Sequence, residues 1–87
     1  MFIIIVYDIK EERVSKVLKI SRKYLNWIQN SVLEGELTNA QLGRLKAELN
    51  EIIDEEEDSI IFYKLRTTSY MSKEIIGVEK GGEEQIL

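Results

Sequence analysis

The chain has 87 residues, 44% of them apolar and 32% charged, a balance that suits one globular domain with its own core and excludes a disordered segment. It holds no Cys and no His, which removes disulfides, thiolate metal sites, Ser-His-Asp catalysis and imidazole acid/base chemistry. The formal net charge of −4 is unevenly spread: residues 10 to 24 carry six bases against two acids, whereas "EIIDEEED" (51 to 58) carries six acids and no base. Charge alone reads as two solvated surfaces.

The chain opens with "MFIIIVYDIK", and residues 2 to 8 read as a central strand. The apolar run is short, lacks a basic leader and is followed by no small-residue cleavage site, so no signal peptide is expected. No apolar stretch approaches the roughly 20 residues of a membrane span, and a cytoplasmic location is the default. Val14, Val17, Leu18, Ser21 and Leu25 recur at helical spacing and predict an amphipathic helix over about 10 to 24. "NWIQNSVLEGEL" (26 to 37) reads as two short strands or one strand broken near Asn30, with a bulge or bend at Gly35. Thr38 and Gln41 form a capping-box pattern, and Leu42, Leu45, Leu49, Ile52 and Ile53 predict a second helix ending near Asp54. "SIIFYKLR" (59 to 66) is a strong strand, "TTSYMSKE" (67 to 74) reads as a loop, and "IIGVE" (75 to 79) as a short last strand.

This order predicts an α+β fold: a ferredoxin-like βαββαβ sandwich with an extra short C-terminal strand, its two helices on one face of an antiparallel sheet. Residues 1 to 79 would form the domain. Residues 80 to 87, a Gly-Gly hinge followed by an apolar-ended tail, would dock on a partner subunit or fray. One feature strains the scheme. "FIIIVY" is apolar on both sides, whereas a two-layer sandwich covers one face, and the simplest cover for the other is a second copy of the chain.

Asp8, at the end of this strand, admits two readings. It is a helix N-cap, or a carboxylate ligand for Mg²⁺ or Mn²⁺, which favour oxygen donors and retain several waters. No second acid lies in the same strand. In a homodimer whose twofold axis passes near the strand ends, Asp8 from each chain would supply the pair, and the cation would relieve their repulsion.

"IIVYDI" (4 to 9), a basic helix, "WIQNSVLEGEL" (27 to 37) and "SIIFYKLR" (59 to 66), in this order and spacing, resemble the small CRISPR-associated endoribonuclease family, the second core protein of CRISPR adaptation. The resemblance implies a ferredoxin-like fold in a symmetric homodimer with its open sheet faces packed together and the C-terminal strand added to the partner's sheet. It also implies a metal-binding catalytic acid at Asp8, with Tyr7 beside it, Ser31 near the same site and Arg13 as an early basic residue of the first helix. Lys16 joins them as a nucleic-acid contact, and Lys64 and Arg66 are further candidates for phosphate. The chain departs from the family at Trp27, where many members have Arg, and at Leu33, where many have an aromatic. Trp27 could stack on a base, but a lone Trp within a strand is expected in the core. The implied function is a Mg²⁺-dependent endonuclease of CRISPR antiviral defence, cutting single-stranded RNA or double-stranded DNA in spacer acquisition. The alternative is a non-catalytic DNA-binding adaptor that bridges dimers of the CRISPR integrase.

Overall fold

Successive side chains of a strand point to opposite faces, and in the computed structural model this alternation sorts Phe2–Asp8 (β1) into buried Ile3, Ile5 and Tyr7 on one side and partly exposed Phe2, Ile4 and Val6 on the other. The structure describes residues 1–67 and 70–78. Along the chain β1 is followed by Glu11–Ser21 (α1), Asn26–Gln29 (β2), Val32–Glu36 (β3), Asn39–Ile52 (α2), Ser59–Thr67 (β4) and Tyr70–Gly77 (β5). The five strands form one sheet in the order β2-β3-β1-β4-β5, with every neighbouring pair antiparallel. The first four strands and both helices have the expected ferredoxin-like βαββαβ arrangement, and β5 extends it beyond β4. The hinge and tail of residues 80–87 lie outside the described residues.

The core forms on one face of the sheet. Ile3, Ile5, Tyr7, Leu33, Ile60 and Phe62 pack with Val17 of α1 and Leu42, Leu45 and Leu49 of α2. The i, i+3, i+7 spacing of the three leucines is what turns one stripe of α2 onto the sheet. Thr38 starts that helix as expected: its hydroxyl accepts from the Gln41 amide at 3.1 Å, and the Thr38 amide donates to Gln41 Oε1 at 2.9 Å.

The structure corrects two of these expectations and decides between the alternatives of another. First, α1 ends at Ser21, and the chain then unwinds through turns in which the Leu25 amide donates to the Ser21 carbonyl at 2.9 Å. Leu25 leaves the helix yet stays buried, because it crosses Gly35 of β3; a Cβ at that glycine would lie 3.2 Å from Leu25 Cδ2. Gly35 therefore permits a close approach, and the bulge expected there falls in β2 between Trp27 and Gln29. Second, of the two alternatives for 26 to 37 the structure has the two short strands, β2 and β3, joined at Asn30, whose φ of 43° lies in the left-handed region that Asn tolerates.

Third, most of the segment read as a loop is strand. β4 and β5 pair antiparallel, with Phe62 opposite Glu74 and Ser59 opposite Gly77. Polar Glu74 is accommodated on the helix-covered face because Lys46 of α2 and Lys64 of β4 both donate to it, which holds its carboxyl below the usual range. Lys64, offered as a phosphate contact, is thus engaged within the fold.

One end of this sheet is gathered by Asp58, an acid with no exposed surface. Its carboxylate accepts from Arg13 Nε at 2.6 Å and Nη2 at 3.1 Å, from the Lys10 amide at 2.9 Å and from the Asp54 amide at 2.8 Å. Its carbonyl accepts from the Val78 amide at 2.9 Å. Burial by itself would raise the carboxyl pKa; the Arg13 guanidinium and the Asp54 and Lys10 amides overcome that and hold it at about 2. Gly77, at φ 94°, lies so close that an added Cβ would sit 2.0 Å from the Asp58 carbonyl oxygen.

Two predictions follow from this gathered end. The folded-state pKa of Asp58 lies below its ordinary value of 3.8, so the unfolded chain takes up the proton first. Its stabilisation is complete above that ordinary value and is lost as pH falls through about 2. Unfolding free energies of wild type and Asp58→Asn from denaturant titration should differ by about 2 kcal/mol at neutral pH and converge in acid; a gap that stays constant with pH would refute the assignment. Gly77→Ala should lose on the order of 2 kcal/mol from the positive φ and the clash together, read as a Tm lowered by roughly 10 °C, while Gly43→Ala, with open space around it, should not.

Candidate nucleic-acid and metal site

Asp8 is the last residue of β1, opposite Ser59 of β4. Alternation places it with Phe2, Ile4 and Val6, on the sheet face that neither helix covers, and its side chain is exposed. Register puts Val32 of β3 and Ile61, Tyr63 and Leu65 of β4 beside them on that face. All seven of these neighbours are partly buried, and none belongs to the helix-covered core or its margin. Burial pushes the Tyr63 phenol pKa up. The first helix begins at Glu11 with Lys10 at its N-cap, so Asp8 is not the cap.

The other expected site residues fall in different places. The Ser31 carbonyl accepts from the Tyr7 amide at 3.1 Å, which brings the β2–β3 turn to the same end of the sheet as Asp8. The Tyr7 side chain projects the other way. It is 6% exposed in the core, with its phenol pKa raised by burial, and it cannot reach a ligand bound at Asp8 across the sheet. That corrects its placement as a nucleic-acid contact, and the cause is the strict two-residue alternation of β1.

Arg13 is also committed elsewhere. Besides Asp58 it donates from Nη2 to Glu57 at 2.9 Å, and Nη1 lies 3.7 Å from Glu12. The hydrogen bonds to Asp58 and then to Glu57 raise its pKa further above an already high value. Its guanidinium closes the fold and is not available as an open phosphate clamp. Lys16 is exposed on α1 and pairs with no carboxylate among the described residues.

Trp27 reverses its expectation. It is 48% exposed on edge strand β2, and its neighbour Ile28 is 50% exposed. A strand at the sheet edge near the end of α1 has no helix above it to bury a large ring. Two features escaped the sequence reading: this exposure, and the burial of Asp58, which closes an acidic run that looks solvated throughout. The one sequence signal for Asp58 was its position directly before the apolar strand "SIIFY".

Among the described residues no group of three or more His, Cys, Asp or Glu side chains could hold a metal ion. Asp8 is the acid at this end of the uncovered face, while Glu34 and Glu36, opposite Ile4 and Phe2, lie along the same face toward its other end. A hard divalent cation that keeps most of its waters needs one or two carboxylates, and Asp8 with its counterpart from a second copy would meet that requirement. No helix among the described residues is long and apolar enough to cross a membrane.

The comparisons with known proteins agree on one family. The family model described as "CRISPR associated protein Cas2" matches residues 1–73. The CRISPR-associated endoribonuclease Cas2 of Dictyoglomus turgidum is 58% identical over the whole length of both chains, and that of Thermotoga maritima is 53% identical over 93% of each. A crystal structure of Cas2 superposes with a TM-score of 0.74 at 40% identity, over 94% of this chain and 92% of that one. Streptococcus pyogenes Cas2 superposes with a TM-score of 0.69 at 38% identity, over 75% of this chain and 86% of its own. With the sequence match running from β1 into β5 and the same fold in solved relatives, this chain belongs to the CRISPR-associated Cas2 family.

Proposed function

We propose that the protein is a Mg²⁺-dependent endonuclease of CRISPR defence, working as a homodimer on phosphodiester bonds of single-stranded RNA or double-stranded DNA in the cytoplasm. The observation that carries this reading is the uncovered sheet face. It is apolar across β1 and β4, and β1 ends on it in the exposed carboxylate of Asp8. Packing two such faces together would remove Phe2, Ile4, Val6, Ile61, Tyr63 and Leu65 from water, worth about 25 cal/mol for each Å² of apolar surface. The same packing brings Asp8 of each chain toward the twofold axis. Relatives named as endoribonucleases support the nuclease class.

In this reading Asp8 and its counterpart would hold Mg²⁺, or Mn²⁺ in its place. When bound, the ion supplies Lewis-acid polarisation of the phosphate and a water of lowered pKa. Asp8 supplies hard oxygen donors and a charge that the cation neutralises. Ser31, in the turn beside the strand end, helps shape the approach to the site. Lys16 and the exposed bases of α1 hold the strand by phosphate contact, which positions it without reading its sequence.

A second reading shares the dimer and dispenses with hydrolysis: an adaptor in spacer acquisition that spans captured DNA between dimers of the CRISPR integrase. The observation that favours it is the basic, exposed face of α1, which needs no metal to bind a polyanion. On this reading residues 80 to 87 dock on a partner, and their removal weakens assembly.

Purified wild type and Asp8→Asn should be compared on labelled single-stranded RNA and double-stranded DNA with Mg²⁺, Mn²⁺ and chelator, with dimer retention confirmed by size exclusion. Cleavage by wild type should fall to background with chelator and with Asp8→Asn. Equal cleavage by both proteins would remove Asp8 from the mechanism, and no cleavage by either would leave the adaptor reading. A charge in the middle of the uncovered face tests the dimer itself. Ile4→Glu should sediment as a folded monomer, because the helix-covered core is untouched; an unchanged dimer would place the interface elsewhere.

A further inference from the structure

Between Glu12 and Glu34 the chain has no acid and five bases, and the structure arranges part of that stretch as a track. Lys16, Lys19 and Arg22 recur every three residues along the exposed side of α1. None of the three pairs with a carboxylate among the described residues. The track ends at Trp27. Its indole Nε1 donates to the Asn30 carbonyl at 2.9 Å, and the Arg22 guanidinium lies 5.7 Å from the ring centroid. Two contacts thus fix the orientation of a ring that remains 48% exposed.

An exposed Trp costs solvation unless a partner covers it. Here the surroundings name the chemistry of that partner. A protein surface would be expected to bring apolar area or acids, whereas three cations with no carboxylate partner among the described residues, leading to one immobilised ring, match a phosphate backbone followed by a base. Arg22 over one face of the indole leaves the other for stacking, and a base has a π-face whatever its sequence.

We propose that Trp27 is a stacking platform for an unpaired base of a bound nucleic-acid strand, with Lys16, Lys19 and Arg22 carrying the adjoining phosphates. This rests on the reading of the protein as a nucleic-acid binder and narrows it to a substrate with a single-stranded or frayed segment. A base inside a blunt duplex is already stacked on both faces and gains nothing from the ring.

Trp27 is the one tryptophan of the chain, so its emission reports the contact directly in the unaltered full-length protein. Unlabelled oligo-dT and oligo-rU should quench that emission. The quenching midpoint should match the anisotropy of the same oligomers carrying a dye, should weaken with added salt, and should be absent with a blunt duplex of equal length. Trp27→Ala should weaken single-strand binding by roughly tenfold or more, Trp27→Phe by less, and both should bind the duplex as wild type does, with circular dichroism unchanged.

Binding of single strands by anisotropy with no change in Trp27 emission, and with Trp27→Ala equal to wild type, would overturn the proposal and leave nucleic-acid binding standing. Failure of wild type to bind any oligomer at low salt would remove both readings. If Trp27→Ala bound every oligomer normally and lost only its assembly with the integrase, the ring would be a protein contact and the proposal would fail.

Discussion

A carboxylate sealed from water must be matched by donors on nearly every side, and Asp58 is matched by donors from three other parts of the chain. The Arg13 side chain brings in α1, the Lys10 amide fixes the entry to that helix, and the Asp54 amide fixes the exit from α2. The Asp58 carbonyl then receives the end of β5 through Val78. These contacts meet one residue before Ser59, which is the register partner of Asp8. The candidate metal ligand therefore stands on a strand end whose neighbour is held from both helices, and its exposure does not come with a loose backbone. The same requirement accounts for Arg13, whose charge is spent on closing this end and is lost to any ligand.

The second constraint is the two-faced central strand. The described residues form two helices, and both lie over Ile3, Ile5 and Tyr7. Phe2, Ile4 and Val6 are left with neighbours in the sheet and no layer above them. A fold this small buries a modest share of its surface, so an apolar face of this kind is most simply stabilised by another copy. In the proposed metal site Asp8 stands at the rim of that face, where a twofold axis would supply its counterpart from the second copy.

Much of this was legible in the sequence, and the reasons can be named residue by residue. The two-sided apolar run "FIIIVY", the leucine spacing of α2 and the Thr38–Gln41 box are local patterns, and each appears in the structure where its residues predict it. What escaped the reading depends on tertiary neighbours. Gly35 is a glycine because Leu25 crosses it, a contact between residues ten apart that no local pattern encodes. β5 forms from polar residues because Lys46, on another element, neutralises Glu74. Trp27 is outside because β2 is the edge strand, and the strand order is a global property. At the site, Asp8 was visible as an acid ending an apolar strand, whereas the inward turn of Tyr7 required knowing which face the helices would cover.

The charge distribution settles how a chain of net charge −4 can present a surface to a polyanion. Salt screens exposed charges beyond about 8 Å at physiological ionic strength. An 11-residue helix such as α1 is about 16 Å long at 1.5 Å per residue. Its N-terminal end carries Glu11 and Glu12 and meets Glu57 and Asp58, acids that suit the positive pole of the helix dipole and are partly neutralised by Arg13. Its C-terminal end carries Lys19 and Arg22, with Glu48 nearby already bonded to Lys23 and Tyr24. A phosphate arriving there lies more than a screening length from the acidic end and responds to the local cations. The net charge then bears on solubility and long-range approach, while a polyanion at this end of α1 would meet Lys19 and Arg22 first.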